Sequence, residues 1–306
     1  MCYSAQIWAD YRRYKRAYGS EIDIATFAEL FWSRLENPRI VIPRGVEAAF
    51  EHPTSPEEQS IKVLIDQHRA LQTTTIEHDI FKQRKRLVDA ERSLLTKHTK
   101  RATEDVRIAG DKIARGLSRL DDLRRTVLTP QDSRIYPGNY APVMVMENGR
   151  RVIRPMRYQC RPAGKPANYD TKYPGTYNAR RDNLTGFWRG QFGVTHGLMV
   201  VDVFYENVRT PEGNVVLEFR PRSGDPMLIA CLWSRWSAPG EPDLLSFAAI
   251  TSDPPPEVAA AGHDRCIVYI RPENVDRWLG AEGGDVELLS ILDDPAPDFY
   301  EHRLAA

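Results

Sequence analysis

The sequence predicts an α+β fold in which a curled, mainly antiparallel β body carries an inserted long helical or coiled-coil arm. The chain has 306 residues, enough for one full hydrophobic core and an extension. Residues 57–128 contain no proline and only two glycines, which favours long helices. After Pro130 the sequence changes to short runs rich in Val, Ile, Tyr and Phe, separated by Pro, Gly and Asn, which is typical of strands and turns.

Two helical regions precede the β-rich part. Residues 24–36 predict a short helix, because their large apolar side chains recur at steps of three and four. Residues 57–128 predict one long helix or a helical hairpin. Within them, apolar pairs recur every seven residues, as in a coiled coil, at Ile80/Phe81, Leu87/Val88 and Leu94/Leu95. This spacing favours packing against a protein partner or a second copy of the chain.

The arm also carries an excess of positive charge. Between Lys82 and Leu128 there are 14 Lys or Arg against 7 Asp or Glu. Such an excess could follow a phosphate backbone, or it could belong to a solvated helix face. The sequence leaves both explanations open and favours the solvated face for most of these charges.

The β-rich part contains several predicted strands, a hairpin and one short helix. Apolar runs that predict strands are YAPVMVM, RRVIRPMRY, GLMVVDVFYENV, VVLEFRP, MLIACLWSRW, LLSFAAITS and RCIVYIRP. The ENG at 147–149 predicts the turn of a hairpin between the first two runs. Residues 272–280 predict a short helix.

Composition argues against several classes of protein. Lys plus Arg equals Asp plus Glu at 42 each, so the overall charge does not select for or against nucleic acid. The four cysteines form no CxxC pair and the seven histidines form no HExxH motif, so we expect no metal site and no cofactor. The first twenty residues lack a signal peptide, and no window approaches 18 apolar residues. We therefore expect a cytoplasmic protein with reduced thiols and no membrane contact.

Cys2 stands directly after the initiator methionine, and removal of Met1 would give it a free α-amino group. The amine, with a pKa of about 7.7 to 8, and the thiol, with a pKa of about 8.5, would both be partly nucleophilic at neutral pH. Together they could condense with an aldehyde and close a five-membered thiazolidine ring. Position alone does not distinguish this use from an incidental cysteine or a lipidation site.

Four places in the β-rich part put polar side chains beside apolar runs, where a strand end delivers a side chain to a pocket. They are YNARRDN with Asn178, VVDVFYEN with Glu206, LWSRW, and AGHDR with His263. Taken singly, each has an ordinary structural explanation as a turn, a surface charge or a loop residue.

Taken together and in order, these motifs resemble the SRAP family (SOS-response-associated peptidases, abasic-site processing proteins). The motifs that match are MCYSAQ at the start, NAR at 178–180, FYE at 204–206, LW at 232–233 and H-x-R at 263–265. The resemblance covers the first half dozen residues and most of 130–279, and it does not cover the helical stretch. It divides the chain into an N-terminal catalytic segment (1–19), a helical arm (20–129), an SRAP-like β body (130–290) and a C-terminal tail (291–306).

The resemblance implies a protein that binds single-stranded DNA and cross-links its terminal cysteine to the ring-opened aldehyde of an abasic site. Cys2 would form the imine and then the thiazolidine. Glu206 would move protons, Asn178 would orient the sugar or the amine, and His263 would act as an acid or base. These roles are carried over from the family's Cys, Asn, Glu and His.

The resemblance also suggests which residues contact DNA. Cations for phosphates and flat groups for bases come from Arg157, Tyr158, Arg161, Lys165, Arg180 and Arg181. The chain departs from the family at its start, where M-C-G-R is common and this sequence has Tyr3 and Ser4. One expected phosphate contact is therefore absent. Asn207 and Tyr158 stand where tryptophan is common, Asp182 where glutamate is usual, and Cys266-Ile267 where Met-Pro follows the arginine.

Three alternatives remain open from the sequence. An abasic-site lyase would begin with the same imine and proceed by β-elimination to a cut strand. A thiol peptidase, acting on itself or on other proteins, would use the same Cys, His and Glu or Asn. A non-catalytic module would bind nucleic acid or a protein partner, or self-associate, through residues 57–128.

Overall fold

The computed structural model describes residues 3–211, 213–281, 283–296 and 299–305. Its helices are α1 (Tyr11–Tyr18), α2 (Ile24–Glu36), α3 (Arg44–Ala48), α4 (Pro56–Thr96), α5 (Lys100–Arg124), α6 (Tyr169–Lys172), α7 (Pro256–Ala260), α8 (Val275–Leu279) and α9 (Gly284–Asp293). The predicted helix at 24–36 is thus confirmed, and of the two forms predicted for 57–128, one long helix or a helical hairpin, the structure has the hairpin. A 3₁₀ turn at Pro272–Asn274 leads into α8, as expected for the predicted short helix.

The strands of the described residues join into one mixed, mainly antiparallel sheet. They are β1 (Ser4–Ile7), β2 (Glu21–Ile22), β3 (Arg134–Ile135), β4 (Tyr140–Glu147), β5 (Arg150–Tyr158), β6 (Asn178–Arg180), β7 (His196–Thr210), β8 (Gly213–Pro221), β9 (Met227–Trp236), β10 (Leu244–Ser252), β11 (Cys266–Ile267) and β12 (Tyr300–Leu304). The β4–β5 hairpin turns at Asn148 and Gly149, both with positive φ, as the ENG motif predicts. The predicted α+β class is confirmed.

Strand β7 determines the curl of this sheet. A strand in a flat sheet has two neighbours, whereas β7 pairs with four along its 15 residues. Its first half pairs with β4 and β9, and its second half pairs with β1 and β8. The register with β1 shifts where Gln6 faces Val203 and Ile7 faces Val201, so Asp202 is an extra residue. A bulge of this kind bends its strand and increases the local twist, so β7 can join two differently oriented parts of the sheet.

The first helices pack on the sheet and belong to its core. Phe27 and Phe31 of α2 lie against Phe50, with ring centroids 5.6 Å apart in both cases. Ile61 and Ile65 in the first turns of α4 are fully buried in the same core. Residues up to about position 65, which the sequence assigned to the arm, therefore cover the sheet.

Beyond that point α4 and α5 form an antiparallel hairpin with its own small core, built from Ile76, Ile80 and Leu120. The seven-residue pattern splits between the two faces of α4. Ile80 is buried, while Phe81, Val88 and Leu95 are 70%, 49% and 88% exposed. One part of the predicted pattern thus packs within the hairpin. The use of the exposed part for self-association or partner binding stays a prediction.

The C-terminal segment, which the sequence set apart as a tail, includes a strand of the sheet. β12 pairs antiparallel with β8, from Tyr300 opposite Pro221 to Leu304 opposite Leu217. The ring of Tyr300 contacts Phe204 of β7, with centroids 5.3 Å apart. The segment therefore adds a strand beyond β8 and contacts β7 at Phe204, two residues before Glu206.

The two glycines of α5 give a matched test of the hairpin's packing. A Cβ at Gly116 would lie 2.6 Å from Cγ1 of Ile80, whereas a Cβ at Gly110 would meet nothing within 4 Å. Gly110→Ala should stabilise the hairpin by about 0.5 to 1 kcal/mol, since alanine favours helix. Gly116→Ala should destabilise it by about 1 to 3 kcal/mol, since the β-branched Ile80 must move. Hydrogen exchange of α4 and α5 amides measures both, and equal protection in the two variants would contradict the packing.

Candidate functional site

Glu206 is a carboxylate buried in the sheet. It lies in the second half of β7 opposite Leu217 of β8, and its side chain has no solvent exposure. Burial disfavours the charged carboxylate and raises the pKa of Glu206 to about 8; the nearby charge of Asp264 acts in the same direction. Burying an ionisable group carries a large cost in free energy, which is why such groups concentrate at functional sites.

His263 reaches Glu206 from a distant part of the chain. It follows α7, and its Nε2 lies 3.2 Å from Oε2 of Glu206. The approach requires Gly262, which has φ +94° and packs so closely on β7 that a Cβ would lie 2.9 Å from Cγ1 of Val208. A side chain at position 262 would therefore push His263 away from the strand.

The pair holds one proton at neutral pH. Nδ1 of His263 lies 2.7 Å from the carbonyl oxygen of Arg265, which only accepts, and 3.3 Å from the N–H of the same residue. We assign the hydrogen to Nδ1 because the contact with the carbonyl oxygen is the shorter one. Nε2 is then the basic nitrogen that faces Glu206. Burial lowers the pKa of His263 and raises that of Glu206, so both shifts favour the neutral acid beside the neutral imidazole. A proton shared in this way can be donated and taken back.

The first strand, β1, begins beside this pair. β1 begins at Ser4, whose Cα partner is Tyr205, the residue before Glu206. Cys2, the predicted nucleophile, lies outside the described residues. The ring of Tyr3 contacts the ring of Tyr177, with centroids 6.4 Å apart. Tyr3 thus touches the segment that leads into β6, and the next residue, Ser4, pairs with β7.

Asn178 stands at the beginning of β6, directly after Tyr177, and is 6% exposed. Its Oδ1 and Nδ2 have no hydrogen-bond partner among the described residues. An unpaired buried amide costs about 1 to 3 kcal/mol, which indicates that its partner is something other than this part of the protein. Parallel pairing with Ala249 of β10 holds the residue in place.

The other cysteines are unsuited to nucleophilic chemistry. Cys160, Cys231 and Cys266 are free and buried. Burial raises the pKa of the Cys160 thiol to about 12 and also raises the pKa of Cys231 and Cys266. Since the thiolate is the reactive form, these three thiols are inert at neutral pH.

Three of the six predicted DNA contacts are engaged inside the protein. Arg157 and Arg161 both pair with the buried carboxylate of Asp170. Tyr158 is 1% exposed and stacks on Phe247, with centroids 5.2 Å apart. These contacts hold the segment after β5 against the sheet.

The other three predicted contacts are more accessible. Lys165 is exposed, and its Nζ lies 5.4 Å from the ring centroid of Tyr169 and 5.9 Å from that of Phe187. Arg180 pairs with Asp182, also exposed, and Arg181 pairs with Asp293 of α9. Lys165 therefore belongs to a patch of cation and aromatic rings, whereas the two arginines are partly neutralised.

Arg134 was not singled out from the sequence. It lies in β3, and its Nε and Nη2 donate to Oγ of Ser4 at 3.0 and 2.9 Å. Its guanidinium also covers the ring of Tyr205, with Cζ 3.6 Å from the centroid. The two-residue strand that places it carries no sequence signal for pairing with β1, some 130 residues away.

The sequence predicts neither a metal site nor a membrane-spanning segment, and both points can be examined in the described part of the chain. No group of three or more His, Cys, Asp or Glu side chains there could hold a metal ion. Within the same ranges, no helix is long and apolar enough to cross a membrane.

Comparisons with known proteins identify the family and support the fold. Residues 94–304 match the family described as SOS response associated peptidase (SRAP), which confirms the resemblance. A solved structure from Bacteroides thetaiotaomicron has 14% identity and a TM-score of 0.51 over 61% of this chain and 82% of its own; it supports the fold alone. Two Bordetella bronchiseptica structures, the second a phage-related protein, have 18% and 21% identity and TM-scores of 0.49 and 0.44. They cover 57% and 59% of this chain and 87% and 84% of their own. A comparison with curated proteins finds no match.

The raised pKa of Glu206 predicts a dependence of stability on pH. Between the ordinary value of 4.5 and about 8, the folded state binds a proton that the unfolded state releases. The free energy of unfolding should therefore fall as pH rises through this window. Glu206→Gln should flatten that fall by at least about 1 kcal/mol, since one pKa unit corresponds to about 1.4 kcal/mol. The lowered pKa of His263 has the opposite effect, since it makes the free energy of unfolding rise with pH. This effect is confined to pH values below the ordinary histidine pKa of 6.5.

Urea unfolding at a series of pH values measures this difference. The exposed Glu241→Gln is the matched control and should keep the wild-type profile. A Glu206→Gln profile parallel to that of the wild type would show that the carboxyl of Glu206 titrates normally.

Proposed function

The chain belongs to the SOS response associated peptidase (SRAP) family, and from that premise we propose that it cross-links to abasic sites in single-stranded DNA through Cys2. Membership supports a function associated with the SOS response and abasic sites. The cross-link would shield the lesion during the response to DNA damage. The observation that carries the proposal is the buried Glu206–His263 pair beside the start of β1.

The short stretch of chain between Cys2 and β1 supports a role for Cys2 at this site. Cys2 is two residues before Ser4 in the sequence, and two residues span at most about 7 Å. Ser4 is paired with Tyr205, next to Glu206. Asn178 adds an amide without a partner among the described residues, next to a tyrosine that touches Tyr3. A sugar aldehyde bound to Cys2 would thus have an acid, a base and an amide within its surroundings.

The proposed reaction balances as one condensation and one addition. After removal of Met1, the neutral amine of Cys2 attacks the aldehyde carbon, and the carbinolamine loses water to give an imine. Glu206 donates the proton that the leaving hydroxyl requires, and His263 passes protons to and from Glu206. The thiolate of Cys2 then adds to the imine carbon and the nitrogen takes up a proton, which closes the thiazolidine. The net change is the loss of one water.

The DNA strand would approach over accessible cations and rings. Lys165 with Tyr169 and Phe187 supplies one such patch, and Arg180 and Arg181 could exchange their carboxylate partners for phosphates. Single-stranded DNA is commonly bound in this way, by a charged groove with aromatic side chains on which bases stack. Arg157, Tyr158 and Arg161 would act through their support of this segment.

Two other activities would use the same groups. A lyase would let the imine proceed to β-elimination and would cut the strand. A thiol peptidase would use Cys2 against a peptide bond. The thiol beside the amine favours the closed ring over elimination, because ring closure is intramolecular and removes the imine. A denaturing gel of labelled abasic DNA distinguishes a retarded adduct from a shortened strand, and a lyase would give mainly the latter.

Cys2→Ser should abolish the adduct that survives denaturation without a reductant. Serine leaves the amine in place, so an imine that borohydride can reduce should still form. The matched control is Cys160→Ser, which changes a buried thiol with a raised pKa and should keep the wild-type yield per folded molecule. A stable adduct of normal yield in Cys2→Ser would rule out the thiazolidine.

Glu206→Gln should lower the rate of cross-linking at saturating DNA at least tenfold, since acid or base groups contribute about 10² to 10⁴ in rate. His263→Ala should have a similar effect. Because the two side chains share one proton, the double variant should be no slower than the slower single variant. Additive losses, or a collapse of the thermal transition with a normal rate per folded molecule, would contradict the shared role.

A further inference from the structure

We propose that Arg134 and the exposed tyrosine rings beside it form a nucleotide subsite, in which the guanidinium binds the phosphodiester that flanks the abasic sugar. This inference rests on the proposed function and extends it. Arg134 lies outside every motif that carries the family resemblance.

The guanidinium of Arg134 faces no carboxylate within the described part of the chain. No carboxylate of the described residues lies within 4 Å of it, whereas the guanidinium groups of Arg34 and Arg157 each face a buried acid. Nε and Nη2 donate to the hydroxyl of Ser4. A guanidinium has five N–H donors, so about three remain for another acceptor. A half-buried arginine that is oriented but not neutralised is suited to an anion that arrives from solvent.

The contacts of Arg134 hold its guanidinium group in one orientation. Cζ lies 3.6 Å from the ring centroid of Tyr205 and 5.2 Å from that of Tyr136. The planar group is thus stacked on one ring, near a second, and hydrogen-bonded to a hydroxyl. Such preorganisation lowers the entropy lost when a phosphate binds.

The register of the strands places the guanidinium of Arg134 beside β1. Arg134 is the partner of Gln6, and Ser4 is the partner of Tyr205. Since alternate residues of a strand share a face, Arg134, Ser4 and Tyr205 lie on one face of the sheet, opposite to Glu206. Cys2 is two residues before Ser4. Cys2 precedes the first residue of β1, so a DNA strand joined to it would pass the end of this strand, where Arg134 lies on one face of the sheet and Glu206 on the other.

Two exposed rings lie beside this position. Tyr3 is 45% exposed and Tyr136 is 36% exposed, and their centroids are 5.7 Å apart at an interplanar angle of 66°. Exposed aromatic faces stack on bases, and each stacked base contributes about 1 to 3 kcal/mol. A cation for the phosphate together with rings for the base fits a nucleotide better than a free anion.

Binding of an intact single-stranded oligonucleotide, without an abasic site, tests the subsite independently of cross-linking. Arg134→Met keeps the packing on Tyr205 but removes the charge. It should weaken binding at least fivefold and lower the slope of log affinity against log salt by about 0.7, the value for one phosphate. Arg134→Lys should keep most of the slope and lose part of the affinity. The exposed Arg16→Gln is the matched loss of one charge and should change neither quantity.

A second variant keeps the test valid if Arg134→Met does not fold. Tyr136→Leu should weaken binding and leave the salt slope unchanged, because it removes a ring and no charge. Unchanged affinity and slope in folded Arg134→Met, or unchanged affinity in folded Tyr136→Leu, would overturn the subsite.

Cross-linking kinetics separate the subsite from the proposed function. On abasic DNA, Arg134→Met should raise the DNA concentration at half-maximal rate and keep the maximal rate, whereas Glu206→Gln should lower the maximal rate. If the wild type binds intact DNA but never cross-links, the proposed function fails while the salt slopes still decide the role of Arg134. An equal loss of maximal rate in Arg134→Met would overturn its assignment to phosphate binding.

Discussion

The structure depends on one strand that pairs with four others. Because β7 pairs with β4 and β9 in its first half and with β1 and β8 in its second, the sheet must curl around it. The bulge at Asp202 lies between the two halves. Glu206 follows four residues later, at the point where the first strand of the chain enters the sheet. The strand that closes the core therefore also positions the buried carboxylate beside the first residue of β1.

Neighbouring protein groups, rather than solvent, offset the free-energy cost of burying Glu206. His263 faces it at 3.2 Å, and Gly262 permits that approach because its missing side chain leaves room for Val208. The carboxyl keeps a proton near neutral pH, since burial raises its pKa to about 8. A protonated acid held beside a neutral imidazole suits the formation of an imine, in which a proton must be given and another removed. The same feature makes the protein less stable as pH rises, a cost that a purely structural residue would not justify.

Much of the fold could be predicted because its signals are local. The helical hairpin follows from a proline-free segment with apolar periodicity, and the β4–β5 turn follows from Asn148 and Gly149. The exit of the arm from the core near position 65 could not be predicted, because Ile61 and Ile76 look alike in sequence and differ only in what they pack against. The strand β12 was missed for a similar reason, since it is short and its partner β8 lies about eighty residues earlier.

For the site, the sequence indicated residue types but not their surroundings. The ordered motifs led to Glu206 and His263, which the structure brings into contact. They also suggested Arg157 and Arg161 as DNA contacts, and these share the buried Asp170, which no local pattern reveals. Arg134 is the opposite case. No motif in its segment indicates a functional residue, yet a two-residue strand brings it to Ser4. Charge neutralisation and cross-strand proximity are properties of the fold, and a single sequence does not contain them in readable form.

The most direct test of the proposed chemistry is mass spectrometry of the intact protein after incubation with an oligonucleotide that carries one abasic site. The account predicts one adduct, with the mass of the chain without Met1 plus the oligonucleotide minus one water, formed without a reductant. Proteolysis should locate the added mass on the N-terminal peptide that begins at Cys2. An adduct on a lysine, an adduct on a chain that retains Met1, or a cut oligonucleotide with unmodified protein would contradict it.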